Sequence, residues 1–80
     1  MNGAPGALVW RSRRGTRELD LVLARWLERH YLQASAAERA NFERFLDLPD
    51  PQIAAYLLRH EKPADPAFAT LVAQLAADRN

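Results

Sequence analysis

Apolar residues recur along this chain at helical spacing, and the residues between them are of the types that start and stop helices. Leu19, Val22, Leu23, Trp26 and His30 follow the i, i+3, i+4 rhythm of one buried helix face. Phe42, Phe45 and Leu46 make a second stripe, Ile53, Tyr56 and Leu57 a third, and Phe68, Leu71, Val72 and Leu75 a fourth. Each stripe lies between recognisable boundaries. Thr16 is placed to cap a helix reaching about Gln33, with Glu18 in its first turn. Ser35-Ala36-Ala37-Glu38 spells a capping box, in which each side chain satisfies the other residue's backbone donor. That helix runs to about Asp47, where Leu48-Pro49 stops it. Asp50-Pro51 and Asp65-Pro66 both set a cap before a proline at the first helical position, where the missing N–H costs nothing. The helices they open end near His60 and near the C-terminus. Upstream, Leu8, Val9 and Trp10 followed by Arg11, Ser12, Arg13 and Arg14 suit a short first helix ended by Gly15, since glycine takes the left-handed conformation without steric cost. Alternation of strand type is missing. The pattern predicts an all-α protein, a compact bundle of about five short helices. Residues 7–80 form a single domain in this reading, after a disordered lead-in over residues 1–6 that holds two glycines and a proline.

Composition narrows what such a bundle can do. Of its 80 residues 49% are hydrophobic, but fifteen of these are Ala, which leaves 24 larger apolar side chains for a core. One core of that size supplies roughly 3–5 kcal/mol, and a cofactor domain beside a substrate domain does not fit. The absence of cysteine excludes disulfides, thiolate zinc sites and a cysteine nucleophile. The uncharged tract from Pro66 to Ala77 is shorter than the ~20 residues of a membrane helix, so no direct membrane insertion is expected. Met1 to Trp10 lacks the basic start and apolar run of a signal peptide, so a soluble, cytoplasmic protein is expected. The formal charge is +1, so any electrostatic preference must be local.

Catalytic chemistry finds little support. His30 and His60 lie at helix ends with no ligand spacing around them, so neither a metal site nor a catalytic histidine is expected. Glu18 and Asp20 are two apart and diverge on a helix, and there is no glycine-rich phosphate loop. The chain is not expected to be an enzyme. The local asymmetry is basic: Arg11, Arg13, Arg14 and Arg17 precede the first acid, Glu18. Arginines of this kind contact phosphates in nucleic-acid binders. Here, however, the rest of the chain is net acidic by three, and the pI near 8.3 falls short of a nucleic-acid footprint. Arg14-Gly15-Thr16-Arg17-Glu18 has a purely structural reading: Arg14 neutralises a helix end, Gly15 turns the chain, Thr16 caps and Glu18 suits the next positive end. The same unit offers a bare glycine between a cation and an anion, where another backbone could approach and be oriented. Trp10, beside the arginines and off the stripes, is either a packing lid over the second helix or an exposed anchor, and a short first helix in need of fastening favours the lid.

Trp10-Arg11-Ser12-Arg13-Arg14-Gly15-Thr16-Arg17-Glu18-Leu19-Asp20 resembles the N-terminal signature of the SdhE family, the FAD assembly factors of succinate dehydrogenase. The family's Arg-Gly-x-x-Glu motif falls on Arg14, Gly15 and Glu18. The resemblance continues in order through Phe42-Glu43-Arg44-Phe45-Leu46, Asp50-Pro51, Tyr56-Leu57 and His60-Glu61-Lys62-Pro63-Ala64-Asp65. It implies a five-helix assembly chaperone that binds the flavoprotein subunit of succinate dehydrogenase, and in some bacteria that of fumarate reductase. Such a factor promotes covalent attachment of FAD to a histidine of that client. The FAD then belongs to the client, with none bound stably by this chain. The resemblance places client binding on Arg14, Gly15 and Glu18, with Arg17 and Asp20 as neighbours and Arg13 and Trp10 as weaker members. It implies a monomer with no nucleic-acid partner. An antitoxin-type or nucleic-acid-binding helical module is the alternative. Two departures stand out: Glu61 where relatives often have glycine, leaving the fourth helix to end without it, and Tyr56 where a tryptophan is common.

Overall fold

A computed structural model describes residues 4–78, and its five helices and short connections give an all-α bundle. The helices are α1 (Gly6–Arg11), α2 (Arg17–Arg29), α3 (Ala36–Leu46), α4 (Asp50–Leu58) and α5 (Pro66–Ala77). Met1–Gly3 of the lead-in lie outside the described residues; Pro5 is the N-cap of α1, and Gly6 is its first residue.

α1 is shorter than its sequence predicts. Its last residue is Arg11, because Ser12 turns inward: the hydroxyl donates to the Val9 carbonyl at 2.6 Å, and the amide returns to Leu8 and Val9. A serine bonding its own backbone competes with helix continuation, and here it leaves Arg13 and Arg14 outside the helix, with the Arg13 amide still turned back to the Trp10 carbonyl. Leu8 and Ser12, four apart, face the core, so Trp10 between them points outward and is 73% exposed. Trp10 is therefore not the lid, and Leu8 fastens α1 instead.

α2 supplies the floor of the core with Leu19, Val22, Leu23, Trp26 and Leu27 all buried. It stops at Arg29, four residues before Gln33, and His30 is the C-cap, half-buried rather than a core residue. The amides of Gln33 and Ala34 then fold back on the His30 and Tyr31 carbonyls. Across from α2, Phe42 of α3 stacks on Trp26 with centroids 4.2 Å apart and planes 7° off parallel. Phe45 meets Phe68 of α5 edge-on at 5.5 Å. Ile53 and Leu57 of α4 and Leu71 and Leu75 of α5 complete the core. Tyr56, Phe68 and Val72 are half-buried at its margin.

The helix starts divide into two kinds. Ser35 and Glu38 form the complete capping box, with bonds of 3.1 and 2.9 Å, and the Asp65 carboxylate accepts from the Ala67 amide at 2.9 Å. Thr16 and Asp50 do not cap. Thr16 holds the extended N-cap conformation without a hydroxyl bond to the helix. Asp50 lies one residue inside α4, behind Pro49 as N-cap, and its carboxylate is engaged elsewhere.

The end of α4 resolves the missing glycine. His60 takes φ +59°, and the Glu61 amide returns to the Ala55 carbonyl at 3.0 Å. Histidine is tolerated in this left-handed region better than most residues, yet a side chain there still costs about 1–2 kcal/mol. His60→Gly should raise the unfolding free energy by about 0.5–1 kcal/mol after allowance for glycine's greater freedom in the unfolded chain. In thermal melts that reads as a Tm higher by roughly 3–6 °C.

The capping box makes a second, pH-dependent prediction. The Ser35 amide, and next its hydroxyl, hold the Glu38 carboxyl below its ordinary value of 4.5. Because the folded value is the depressed one, the stabilisation is complete above 4.5 and is lost as pH falls through the lowered value. From 4.5 down through that lowered value, stability should therefore fall less steeply with falling pH for Glu38→Gln, which keeps an acceptor but cannot titrate, than for the unmodified protein.

Candidate functional site

The segment between α1 and α2 is held from inside. The Arg14 amide donates to the Asp20 carboxylate at 2.5 Å, so a residue of the first turn of α2 draws the preceding loop against its own helix start. This contact does the fastening that Thr16 leaves undone. One residue on, Gly15 has φ +82°, the left-handed turn its sequence position requires. A Cβ built there would meet nothing within 4 Å. A side chain at this point is strained by the backbone angle and not by crowding, and the space above it is open.

Arg14 itself points inward, with its side chain only 16% exposed. Its guanidinium donates to the Leu46 carbonyl at the end of α3 and lies 3.5 Å from the Asp50 carboxylate at the start of α4. The Nε–H is buried and has no partner among the described residues. Arg14 does neutralise a helix end, but the end is that of α3, brought alongside by the fold, rather than that of α1. Asp50 answers it; Asp65 pairs with Arg44 at the same 3.5 Å and still caps α5 as its N-cap, whereas Asp50 stands one residue inside α4 and does not cap.

Its neighbours are outward. Arg17 and Glu18 are exposed on the first turn of α2, and their side chains make no hydrogen bond or ion pair among the described residues. Arg13 is exposed and lies over the Trp10 ring at 5.5 Å from its centroid, a cation–π pair on the outer side of α1. Between α1 and α2 runs an open groove of about 570 Å³, lined by Val9, Arg13, Gly15, Arg17, Asp20 and Leu21 among others. The fold thus gathers Arg13, Gly15, Arg17 and Asp20 around one concavity, with Trp10 and Glu18 exposed beside it in sequence and Arg14 beneath. Sequence reasoning passed over Leu21, 49% exposed on the groove wall. The signal available was an apolar residue off the buried stripe of α2.

Elsewhere the basic cluster is spent within the molecule. Arg11 pairs with Asp47 at 2.8 Å and Glu43 at 3.5 Å and donates to the Glu43 carbonyl, clamping α1 to α3. Among the described residues, no three His, Cys, Asp or Glu side chains gather as a metal-holding group, and no helix is long and apolar enough to cross a membrane.

With this geometry in place, comparison with known proteins is decisive. Residues 7–79 match the family described as the flavinator of succinate dehydrogenase. The chain belongs to that family. It is 46% identical over 70 residues to the FAD assembly factor SdhE of Xylella fastidiosa strain 9a5c, which spans 88% of this chain and 72% of that one. It is also 46% identical over 72 residues to the FAD assembly factor SdhE of Methylococcus capsulatus, covering 90% and 87% of the two chains. Within this flavinator-family chain the motif residues divide physically, with Arg14 inside and Glu18 outside.

That division has a direct consequence for stability. Arg14→Ala strips the Leu46 carbonyl of its partner in a part-buried setting and should cost about 1–3 kcal/mol. Glu18→Ala removes only an exposed charge near a helix N-terminus and should cost less than about 1 kcal/mol. Chemical denaturation of the two variants beside the unmodified protein separates the cases.

Proposed function

We propose that this chain is a cytoplasmic assembly factor that binds the flavoprotein subunit of succinate dehydrogenase and promotes covalent attachment of FAD to it. The observation that carries the reading is the family match across residues 7–79, which spans every helix of the bundle. The client-binding surface is the α1–α2 groove and its rim. Gly15 leaves open space for a client backbone, and Arg17 and Glu18 supply a cation and an anion that no group among the described residues neutralises. Opposite charges at such a point fix orientation more than they add affinity. Trp10, Arg13 and Leu21 widen the surface with aromatic and apolar area. Fumarate reductase, whose flavoprotein also carries covalent FAD in the resemblance drawn above, is a second client.

The factor acts without being an enzyme. It offers no nucleophile of its own and holds no FAD stably, so the bond to the flavin is made with a histidine of the client. Its contribution is to bind the incompletely assembled flavoprotein more tightly when histidine and flavin are correctly placed, which shifts the client's population towards that arrangement. Holding reactants in a near-attack geometry is worth several kcal/mol, so no donated catalytic group is required. One copy of the chain acts on one client. A nucleic-acid role is disfavoured because two of the four clustered arginines, Arg11 and Arg14, are paired with carboxylates of this chain, which shortens the positive track available to a phosphate backbone.

Glu18→Ala provides the test. The variant should keep its far-ultraviolet helical signal and its Tm, yet lower covalent flavin on the client by at least about tenfold, read as flavin fluorescence of the client band on a denaturing gel. Full flavinylation by the folded variant would refute the assignment of this surface.

A further inference from the structure

The inward course of Arg14 separates the motif into residues that meet a partner and residues that hold them. The amide and the guanidinium of Arg14 are both engaged within the fold. Its amide is taken by Asp20, one terminal nitrogen by the Leu46 carbonyl, the other faces Asp50, and Nε is buried. A client docking over Gly15 meets a turn whose position is set from beneath by these contacts. The contacts reach a part of the sequence far from the motif. Leu46 and Asp50 flank the connection between α3 and α4, 32 and 36 residues from Arg14. Asp50 is also the aspartate that forgoes capping α4, so its carboxylate is left to serve Arg14.

We propose that Arg14, Asp20 and Asp50 are positioning residues for client recognition. The Asp20 carboxylate and the Arg14 side chain pin the Gly15 turn to the α3–α4 corner, so that the placement of Arg17 and Glu18 before the client depends on Asp50, a residue outside the motif. This rests on the α1–α2 surface being the client-binding face. Its content is that Arg14 acts through the turn and makes no contact with the client. A direct Arg14 contact would be indifferent to Asp50 except through the loss of one counter-charge. A positioning role makes the two residues a single unit, whose substitutions are not additive.

The experiment is a double-mutant cycle on client affinity, with the apo flavoprotein subunit of succinate dehydrogenase as probe and the full chain as ligand. It is run well below the Tm of every variant. Asp50→Ala should weaken binding by about fivefold, and Asp50→Glu, which restores the carboxylate, should recover most of the loss. Combining Asp50→Ala with Arg14→Lys should weaken binding little further than Arg14→Lys alone. Combining Asp50→Ala with Glu18→Ala should multiply their separate effects, because Glu18 is a contact. Amide hydrogen exchange supplies a readout that a general loss of stability would not mimic: Asp50→Ala should speed exchange over Arg14–Glu18 and leave the middle of α5 unchanged.

Unaltered affinity for Asp50→Ala, or full additivity of Asp50→Ala with Arg14→Lys, overturns the positioning role. If Glu18→Ala also binds normally, the client-binding face itself has been misassigned. If Glu18→Ala fails while Asp50→Ala behaves as the unmodified protein, the face stands and only the positioning role falls.

Discussion

A buried indole N–H must find an acceptor, and the way Trp26 finds one sets how three of the five helices meet. Its ring is 1% exposed and stacks flat on Phe42, which fixes α3 over α2. Its N–H donates to Gln74 Oε1 at 2.6 Å, which fixes α5 along the same helix. The rest of the network follows from chemistry. An indole can only donate, so Gln74 must turn its oxygen to Trp26 and its NH2 group to His30 Nδ1, 3.3 Å away. Nδ1 therefore accepts, and Nε2 carries the hydrogen that reaches the Asp78 carboxylate at 2.7 Å. The Arg25 guanidinium closes the end of the chain of contacts on the Asp78 carbonyl. Leaving any of these groups unpaired in a part-buried setting would cost about 1–3 kcal/mol, a large share of the stability of so small a bundle.

This network secures the C-terminal half of α2 and leaves its N-terminal half to be held by other means. Arg14 provides them. α3 ends and α4 begins within a few residues of each other, which brings carbonyls of one helix and a carboxylate of the next to the same place. A guanidinium suits that place because its planar set of donors can serve two acceptors at once. An ammonium would offer a point charge without the fork. The connection between α3 and α4 and the connection between α1 and α2 are thereby joined at one residue, and the outward charges of α2 stand on the joint.

Where local chemistry decides, the sequence was legible. The stripes on α2, α3, α4 and α5 gave the helices and most of the core, and Ser35-Ala36-Ala37-Glu38 and Asp65-Pro66 behave as their residue types dictate. The departures that bear on the site have tertiary causes. Trp10 looked like a lid because α1 needed fastening, but once Ser12 turns inward the helical period places Leu8 inside and Trp10 out. Asp50 looked like a cap because its local sequence matches that of Asp65, yet α4 takes Pro49 as its N-cap and the Asp50 carboxylate faces Arg14, 36 residues away. Arg14 is the instructive case. Its role at a helix end was readable from charge, but which helix end could not be, because nothing local says that the end of α3 passes beside it. The outward members of the site were more visible, since Arg17, Glu18 and Leu21 fall off the buried stripe of α2 by counting alone.

If the α1–α2 face is the client-binding surface proposed above, the contrast between Arg14 and Glu18 also explains how so small a core supports recognition of a much larger partner. A charged side chain on a flexible loop loses conformational entropy when it binds, and that loss subtracts from affinity. Glu18 and Arg17 avoid much of the backbone part of this cost because they sit on the first turn of a helix whose approach is fixed by Asp20 and Arg14. The left-handed Gly15 completes the arrangement by letting the chain reverse without a side chain in the way. An anion and a cation are thus presented at a fixed spacing over open space, with no partner among the described residues to release before binding. On the proposed client-binding face, a pre-set pattern of charge on a rigid turn is the means of selecting one arrangement of a client over another.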